Sequence, residues 1–259
     1  MSVVTDGREF QSVMKNVATL AAADALGAFN TALQLNSAND TYGVIRETVP
    51  AILSTYGSVT GTVSTNYYLD QRTKAKIGGS FSAVFADVDW ESVSGGTVGY
   101  TISRLKTGAP LDATRAIMAQ NIYSNLFDYS RSTIAKNSLE DSTQVSYRRL
   151  TSPNACDFCL YIAISLDPGR TNKIEKQYHS KCSCVDVPVF SGQSFSEPAY
   201  YGSYRDELSS ARRSLEEKQA IAREQDPNLR KKAFFAKYPD TAITTRNLVS
   251  EVRKVRLEQ

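Results

Sequence analysis

The sequence predicts an α+β protein that is predominantly α-helical. Apolar residues recur at three- and four-residue steps over most of the chain, which is the period of a helix. Four cysteines and the only histidine fall between residues 156 and 184, which favours a small zinc-knuckle and β subdomain. We therefore expect an N-terminal helical region (1–77), a loop or hairpin followed by a long helix (78–150), the knuckle (151–190), and an extended linker with charged C-terminal helices (191–259).

The N-terminal region is predicted to be an up-and-down cluster of helices. Asp6 followed by Glu9 is typical of a capping box. The polar run 36–40 should end the first helix, and two more helices are expected, one over 42–56 and one after Gly57. Pro50 must then lie near a helix start or a kink, because proline lacks a backbone N–H group. The apolar stripe of the first helix comprises Phe10, Val13, Met14, Val17, Leu20, Ala21, Ala25, Ala28, Phe29 and Leu33.

Glycines change the pattern between residues 78 and 108. Six glycines punctuate short, imperfectly alternating runs there, which indicates a loop, with a hairpin as its only regular structure. A long helix should begin near Pro110, and its apolar stripe extends to Ile134. The apolar run 185–190, which follows the last cysteine, is expected to be a strand.

The C-terminal segment is highly charged. Residues 203–259 hold 13 Lys/Arg and 9 Asp/Glu. A solvated helical surface is the ordinary interpretation of such a segment, and contact with packaged DNA is the alternative. Tyr200, Tyr201, Tyr204, Phe234, Phe235 and Tyr238 are interleaved with basic residues. Because such mixtures can dock on a partner or stack on bases, we expect an arm that packs on neighbouring subunits.

Composition and motifs exclude several classes of protein. Asp24, Arg46 and Asp70 interrupt the longest apolar runs, so none approaches the ~20 residues of a membrane helix. The N-terminus lacks the basic and apolar segments of a secretory signal, and folding in a cytoplasm is expected. The run Gly95–Gly99 lacks the ending of a phosphate-binding loop. A protease triad would need the histidine of the cysteine cluster, so no enzyme is expected.

The cluster itself has the spacing of a metal site. Cys156 and Cys159 form a C-x2-C turn, and after nineteen residues His179, Cys182 and Cys184 form H-x2-C-x-C. A C-x2-C turn directs two sulfur atoms towards one point, as in half of a tetrahedral zinc site. The second half offers three candidates for two places. The pair Cys182 with Cys184 is the tighter option, since only one residue separates them.

Three interpretations of the cluster compete. The favoured one is a closed, structural zinc site that ties the segment after Leu150 to the strand at 185–190. Disulfides formed after release from the cell are the second, although thiols are expected first in a cytoplasm. Catalysis is the third, and it would normally need one activated thiol or an open metal site with a nearby base.

The motif region resembles the MuF-like minor head proteins of tailed phages, most closely the forms in phages of actinobacteria. The resemblance rests on the string 156–159, the turn 167–169, the string 178–184 and the following 188–190. The string Tyr67-Tyr68-Leu69-Asp70-Gln71-Arg72, Arg131 to Ile134, and Arg148 or Arg149 also fit. It covers about residues 10–190, and the C-terminal segment has no clear counterpart.

This resemblance implies a structural protein of the virion. It would lie at the portal vertex or inside the capsid, in multiple copies, and would act in head assembly, genome packaging or DNA delivery. Its partners would be the portal protein, the major capsid protein, or both. A capsid maturation protease and a DNA-binding virion protein are the alternatives.

Overall fold

The computed structural model describes residues 2–143, 145–165 and 182–258, and these fall into two compact units. The first unit draws its described residues from 2–152 and 182–196, and the second from 153–165 and 197–258. The first is a helical bundle with a two-stranded sheet, and the second is helical. Helix therefore predominates among the described residues, as the sequence predicts.

Two long helices begin the first unit. Helix α1 spans Val3–Ala32 and α2 spans Ala38–Lys74. Each is capped by a serine: the hydroxyls of Ser2 and Ser37 accept hydrogen bonds from the backbone N–H groups of Thr5 and Asp40. The predicted capping box at Asp6 is wrong. Ser2 occupies the cap, and Asp6 is buried one turn later, where it meets α2.

Only part of the stripe predicted for α1 faces the core. The buried face comprises Phe10, Met14, Ala18, Ala21, Ala25, Phe29 and Ala32. Val13 and Leu20 belong to the predicted stripe but are 44% and 57% exposed. Four of these seven side chains are alanines, so neighbouring helices can approach closely and a narrower stripe is enough.

Helix α2 is a single helix where the sequence predicts two. Pro50 and Gly57 both lie inside it. An internal proline costs about 3 kcal/mol, because one hydrogen bond is lost and the ring crowds the preceding turn. Ile45, Val49 and Leu53 flank it and are almost fully buried in the core. Burial contributes roughly 1.5–3 kcal/mol for each such side chain, which outweighs the local penalty.

Residues 90–106 form a helix, α3 (Trp90–Lys106), where a loop or hairpin is predicted. The carboxylate of Asp89 caps it by accepting hydrogen bonds from the backbone N–H groups of Glu91 and Ser92. The buried Thr97 and Thr101 lie on the face that packs against α2 and α4. This packing outweighs the low helix propensity of the three glycines in α3.

Helix α4 (Leu111–Glu140) begins directly after Pro110, as predicted. It packs against α1, α2 and α3 and is the central element of the bundle. Strand β1 (Val145–Leu150) follows and pairs antiparallel with β2 (Val185–Phe190), from Val145 opposite Phe190 to Leu150 opposite Val185. The predicted strand at 185–190 is therefore confirmed. Every residue of β2 is buried, since the strand packs on α1, α2 and α4.

The second unit contains α5 (Asp157–Ser165), α6 (Ala199–Gln225), α7 (Lys231–Lys237), a 3-10 turn (Pro239–Thr241) and α8 (Thr245–Glu258). Helices α6 and α8 pack on each other, and both contact α5. Helix α6 begins at Ala199, inside the segment predicted as linker. Glu251 of α8 accepts hydrogen bonds from Ser214 and Lys218 of α6, which joins the two long helices.

Part of the aromatic set predicted for docking is interior to the second unit. Tyr204 and Phe234 are each 1% exposed. The Tyr204 hydroxyl donates to the carbonyl oxygen of Asp157 at 2.7 Å. The guanidinium carbon of Arg223 lies 3.7 Å from the centroid of the Phe234 ring. These rings therefore stabilise their own unit, and contact of the segment with neighbouring subunits stays a proposal.

Candidate metal centre

The segment that carries Cys182 and Cys184 is held on the first unit by its backbone. Arg131 of α4 donates from Nε to the carbonyl oxygen of Cys184 at 2.9 Å and from a terminal nitrogen to that of Cys182 at 2.8 Å. Gln11 of α1 donates to the carbonyl oxygen of the intervening Ser183 at 2.7 Å. Three consecutive carbonyl groups are thus fixed by side chains of two different helices, which sets the path of the backbone that carries both cysteines.

The two thiols of this segment lie close together. The Sγ atoms of Cys182 and Cys184 are within 4.8 Å of each other, and both side chains are buried. Two thiolates on one tetrahedral zinc ion lie about 3.8 Å apart, given Zn–S bonds of about 2.3 Å. The Cys182–Cys184 pair, which the sequence predicts to be the tighter option, therefore has its two sulfur atoms close enough for one ion.

Tyr123 of α4 adjoins the same segment. Burial raises the pKa of its hydroxyl to about 12, and the charges of Cys182 and Cys184 act in the same direction. A hydrogen bond with Ser183 and the charge of Arg131 act in the opposite direction. The hydroxyl is therefore neutral at physiological pH and contributes no charge beside the two thiols.

Cys156 and Cys159 lie in the second unit, where α5 begins. Cys159 is in the first turn of α5 and is buried, while Cys156 precedes the helix and is partly exposed. Asp157, between them, is fixed from three sides. Its carboxylate pairs with Arg253 at 2.9 Å and Arg256 at 2.7 Å, and its carbonyl oxygen accepts the Tyr204 hydroxyl. The C-x2-C turn is therefore anchored by α6 and α8.

The donor set fits a soft metal ion. All four cysteines are thiols in the structure, and Cys159, Cys182 and Cys184 are buried, so each could supply a thiolate ligand. His179 and the turn 167–169 lie outside the described residues. Zinc, when bound, would supply a cross-link without redox chemistry.

Residues of the string 67–72 have structural roles. Tyr68 and Arg72 both donate to Asp141 Oδ2, at 3.1 and 3.0 Å. Two other carboxylates are also structural, since Asp89 caps α3 and Asp87 pairs with Lys136 at 2.6 Å. Arg131 was noted only as part of the resemblance, and no local pattern signalled the part played by Gln11.

The sequence matches the VG15 protein family over residues 1–211, which is most of its length. The chain belongs to the VG15 family. This is a family of viral, phage-encoded proteins, so the VG15-family chain is a phage protein. Its match includes both strands and both cysteine pairs and ends inside α6.

Two further comparisons gave no relative. Neither the curated proteins nor the solved structures contain a match to the VG15-family chain. Within the part of the chain that the structure describes, no helix combines the length and the apolar character needed to cross a bilayer.

Proposed function

We propose that this VG15-family protein is a structural, MuF-like minor capsid protein of a tailed phage. The family match over residues 1–211 supports the coarser part of the proposal, a phage protein. The Cys156–Cys159 and His179–Cys184 spacing supports the MuF-like assignment. The protein lies at the portal vertex or on the inner face of the capsid, contacts the portal or major capsid protein, and acts in head assembly, packaging or DNA delivery. It has no catalytic activity.

Mass spectrometry of purified particles tests the proposal. Virions of the encoding phage should contain the chain in several copies, and chemical cross-linking in intact heads should join it to the portal or major capsid protein. A chain that is abundant in infected cells but missing from purified virions and proheads would contradict a structural role. Specific cleavage of purified capsid precursor by the chain, abolished by His179→Ala, would establish the protease alternative instead.

A structural zinc ion is the second part of the proposal. Cys156 and Cys159 supply two ligands, and the closeness of the Cys182 and Cys184 sulfur atoms favours these two thiolates as the others. His179 is then the spare donor. Four thiolates around one ion would add to the stability of the folded chain, since structural zinc binding contributes directly to folding free energy.

Metal analysis of the purified chain separates the ligand sets. One zinc ion per chain is expected, and Cys156→Ser or Cys182→Ser should lower both metal content and the melting temperature. Ser183→Ala, which leaves every thiol in place, is the control. His179→Ala should retain zinc if the four cysteines are the ligands and lose it if the histidine is one of them. Disulfides found by mass spectrometry in virions, without zinc, would establish the second interpretation.

Contact with packaged DNA is the second candidate function, and one observation favours it. Most basic residues of the C-terminal segment pair with carboxylates, for example Lys237 with Asp226. Arg230, Lys231 and Lys232 are consecutive and exposed, and the described residues give them no acidic partner. Their replacement by glutamine should weaken salt-dependent binding to duplex DNA, whereas Arg212→Gln should not. Binding that is absent, or independent of salt, would exclude this function.

A further inference from the structure

Three buried polar atoms at the contact between α1 and α2 lack hydrogen-bond partners among the described residues. They are Oδ1 of Asp6, the hydroxyl of Tyr67 and Oε1 of Gln71. The three residues are 5%, 8% and 0% exposed, so bulk water does not reach them. A buried polar group without a partner is destabilising, and three in one place are unusual in a native protein.

These atoms belong to one cluster. Gln71 donates from Nε2 to Oδ2 of Asp6 at 3.1 Å, and the ammonium group of Lys74 lies 3.1 Å from the same oxygen. Tyr67, Gln71 and Lys74 are spaced by four and three residues, so they share one face of α2. The Tyr67 hydroxyl is 3.5 Å from the position that a Cβ atom on Gly7, the neighbour of Asp6, would take.

The electrostatics agree with this placement. Burial raises the pKa of the Tyr67 hydroxyl far above its ordinary value, and the charge of Asp6 raises it further. The hydroxyl therefore keeps its proton and can donate it. The amide of Gln71 has a fixed orientation, because Nε2 must face the carboxylate of Asp6 and Oε1 then faces away from it.

The donor and acceptor inventory of the cluster matches one water molecule. Asp6 Oδ1 and Gln71 Oε1 are acceptors, and the Tyr67 hydroxyl is a donor. A water molecule donates two hydrogen bonds and accepts one, which satisfies all three atoms, and buried waters typically make about three hydrogen bonds. We propose that this cluster is a buried site for a single structural water molecule that joins α1 to α2. A metal cation is disfavoured, because the ammonium group of Lys74 already balances the carboxylate of Asp6.

Crystallography and one conservative substitution test the site together. A high-resolution crystal structure of the full chain should show a water molecule within about 2.7–3.2 Å of the three atoms. Tyr67→Phe should lower the melting temperature, because it takes a hydrogen bond from that water while the stacking of the ring on Phe10 is retained. Tyr68→Phe, on the same helix, is the reference variant for the size of this fall, because the Tyr68 hydroxyl donates a hydrogen bond to Asp141.

The two measurements distinguish a bound water molecule from an unpaired Tyr67 hydroxyl. A fall in the melting temperature of Tyr67→Phe similar to that of Tyr68→Phe, with the water visible in the crystal structure, supports the proposal. If the Tyr67 hydroxyl is unpaired, its removal relieves a buried polar group and the melting temperature stays level or rises. That result, a site without electron density for water, or density with the short contacts of a metal ion would each overturn the proposal.

Discussion

Arg72 and Asp141 form a buried ion pair that joins the end of α2 to the end of α4. Their Nε and Oδ2 atoms are 3.0 Å apart, and the carboxylate side chain is inaccessible to solvent. Arg72 also donates to the carbonyl oxygens of Ile77, Gly78 and Gly79, so it holds the chain that leaves α2. One guanidinium group thus fixes a helix end, the connection after it and the start of the path into β1.

Asp141→Asn should strongly destabilise the first unit. The substitution leaves the guanidinium group of Arg72 buried without a counter-ion, and breaking such a pair from one side costs about 3–5 kcal/mol. Chemical denaturation followed by circular dichroism measures the change. Asp112→Asn is the matched control, since that carboxylate is 97% exposed and pairs with Arg115 at the surface. A difference of less than about 1 kcal/mol between the two variants would argue against a structural pair.

The same pair predicts loss of stability in acid. Burial opposes ionisation of Asp141, but hydrogen bonds from Thr143, Arg72 and Tyr68 outweigh it and lower the pKa of the carboxyl group below its ordinary value. A carboxyl group with a lowered folded-state pKa stabilises the fold above its unfolded pKa of about 3.9, and this contribution is lost as pH falls through the folded pKa. The free energy of unfolding of the wild type should therefore drop below about pH 4. In Asp141→Asn the free energy of unfolding should fall less steeply with decreasing pH below about pH 4. An unchanged slope would contradict the lowered pKa of Asp141 as the cause.

Gly57→Ala should destabilise the protein although it raises helix propensity. A Cβ atom on Gly57 would lie 2.2 Å from Cζ2 of Trp90, which is a steric clash with the indole ring. Overpacking of this kind costs about 1–3 kcal/mol. Gly43→Ala in the same helix is the control, because its Cβ would meet nothing within 4 Å. That variant should gain about 0.5–1 kcal/mol, so thermal denaturation of the pair should give shifts of opposite sign.

Arg131→Met should expose the thiols of the candidate metal centre. Without the guanidinium group, the carbonyl groups of Cys182 and Cys184 lose their donors and the segment is no longer held on α4. In the presence of a chelator, a thiol reagent should then label both cysteines several-fold faster, as read by peptide mass spectrometry. The labelling rate of Cys156 should not change. Arg115→Met, on the same helix, should leave all rates unchanged, and equal rates in both variants would refute this role of Arg131.

Asp157→Asn should loosen α8 in the second unit. The carboxylate of Asp157 pairs with Arg253 and Arg256, and its side chain is 9% exposed. Because both arginines are partly exposed, the loss is expected to be about 1–2 kcal/mol. Hydrogen exchange of the α8 amides should accelerate, while Asp240→Asn at an exposed position should have no effect. Unaltered protection of α8 would show that the pairs do not hold it.

Local patterns predicted the elements that depend on local chemistry. The helical period and the proline at residue 110 indicated α4, and the apolar run after Cys184 indicated β2, and both are present. Helix α3 was missed because its glycines disfavour helix locally, whereas its capping by Asp89 and its packing on α2 stabilise it. The division of α2 at Gly57 was wrong for a related reason. That glycine accommodates Trp90 rather than ending the helix.

The candidate site also combines local and distant contributions. The spacing of the cysteines and histidine predicts the metal ligands, since such ligands follow short, regular intervals, and these residues stay a prediction. The string 67–72 was noted, but its partner Asp141 lies 69 residues beyond Arg72, and no local pattern points to it.

The amino-acid sequence by itself therefore determined the predominance of helix, the place of the cysteine cluster and the charge of the C-terminal segment. These properties depend on the identity and spacing of residues that are near each other in the chain. Only the tertiary structure decided that Arg131 and Gln11 hold the Cys182–Cys184 segment, and that Asp6 is a buried contact instead of a helix cap. The physical reason is that these contacts join residues far apart in sequence, where burial removes competition from water and makes each hydrogen bond matter.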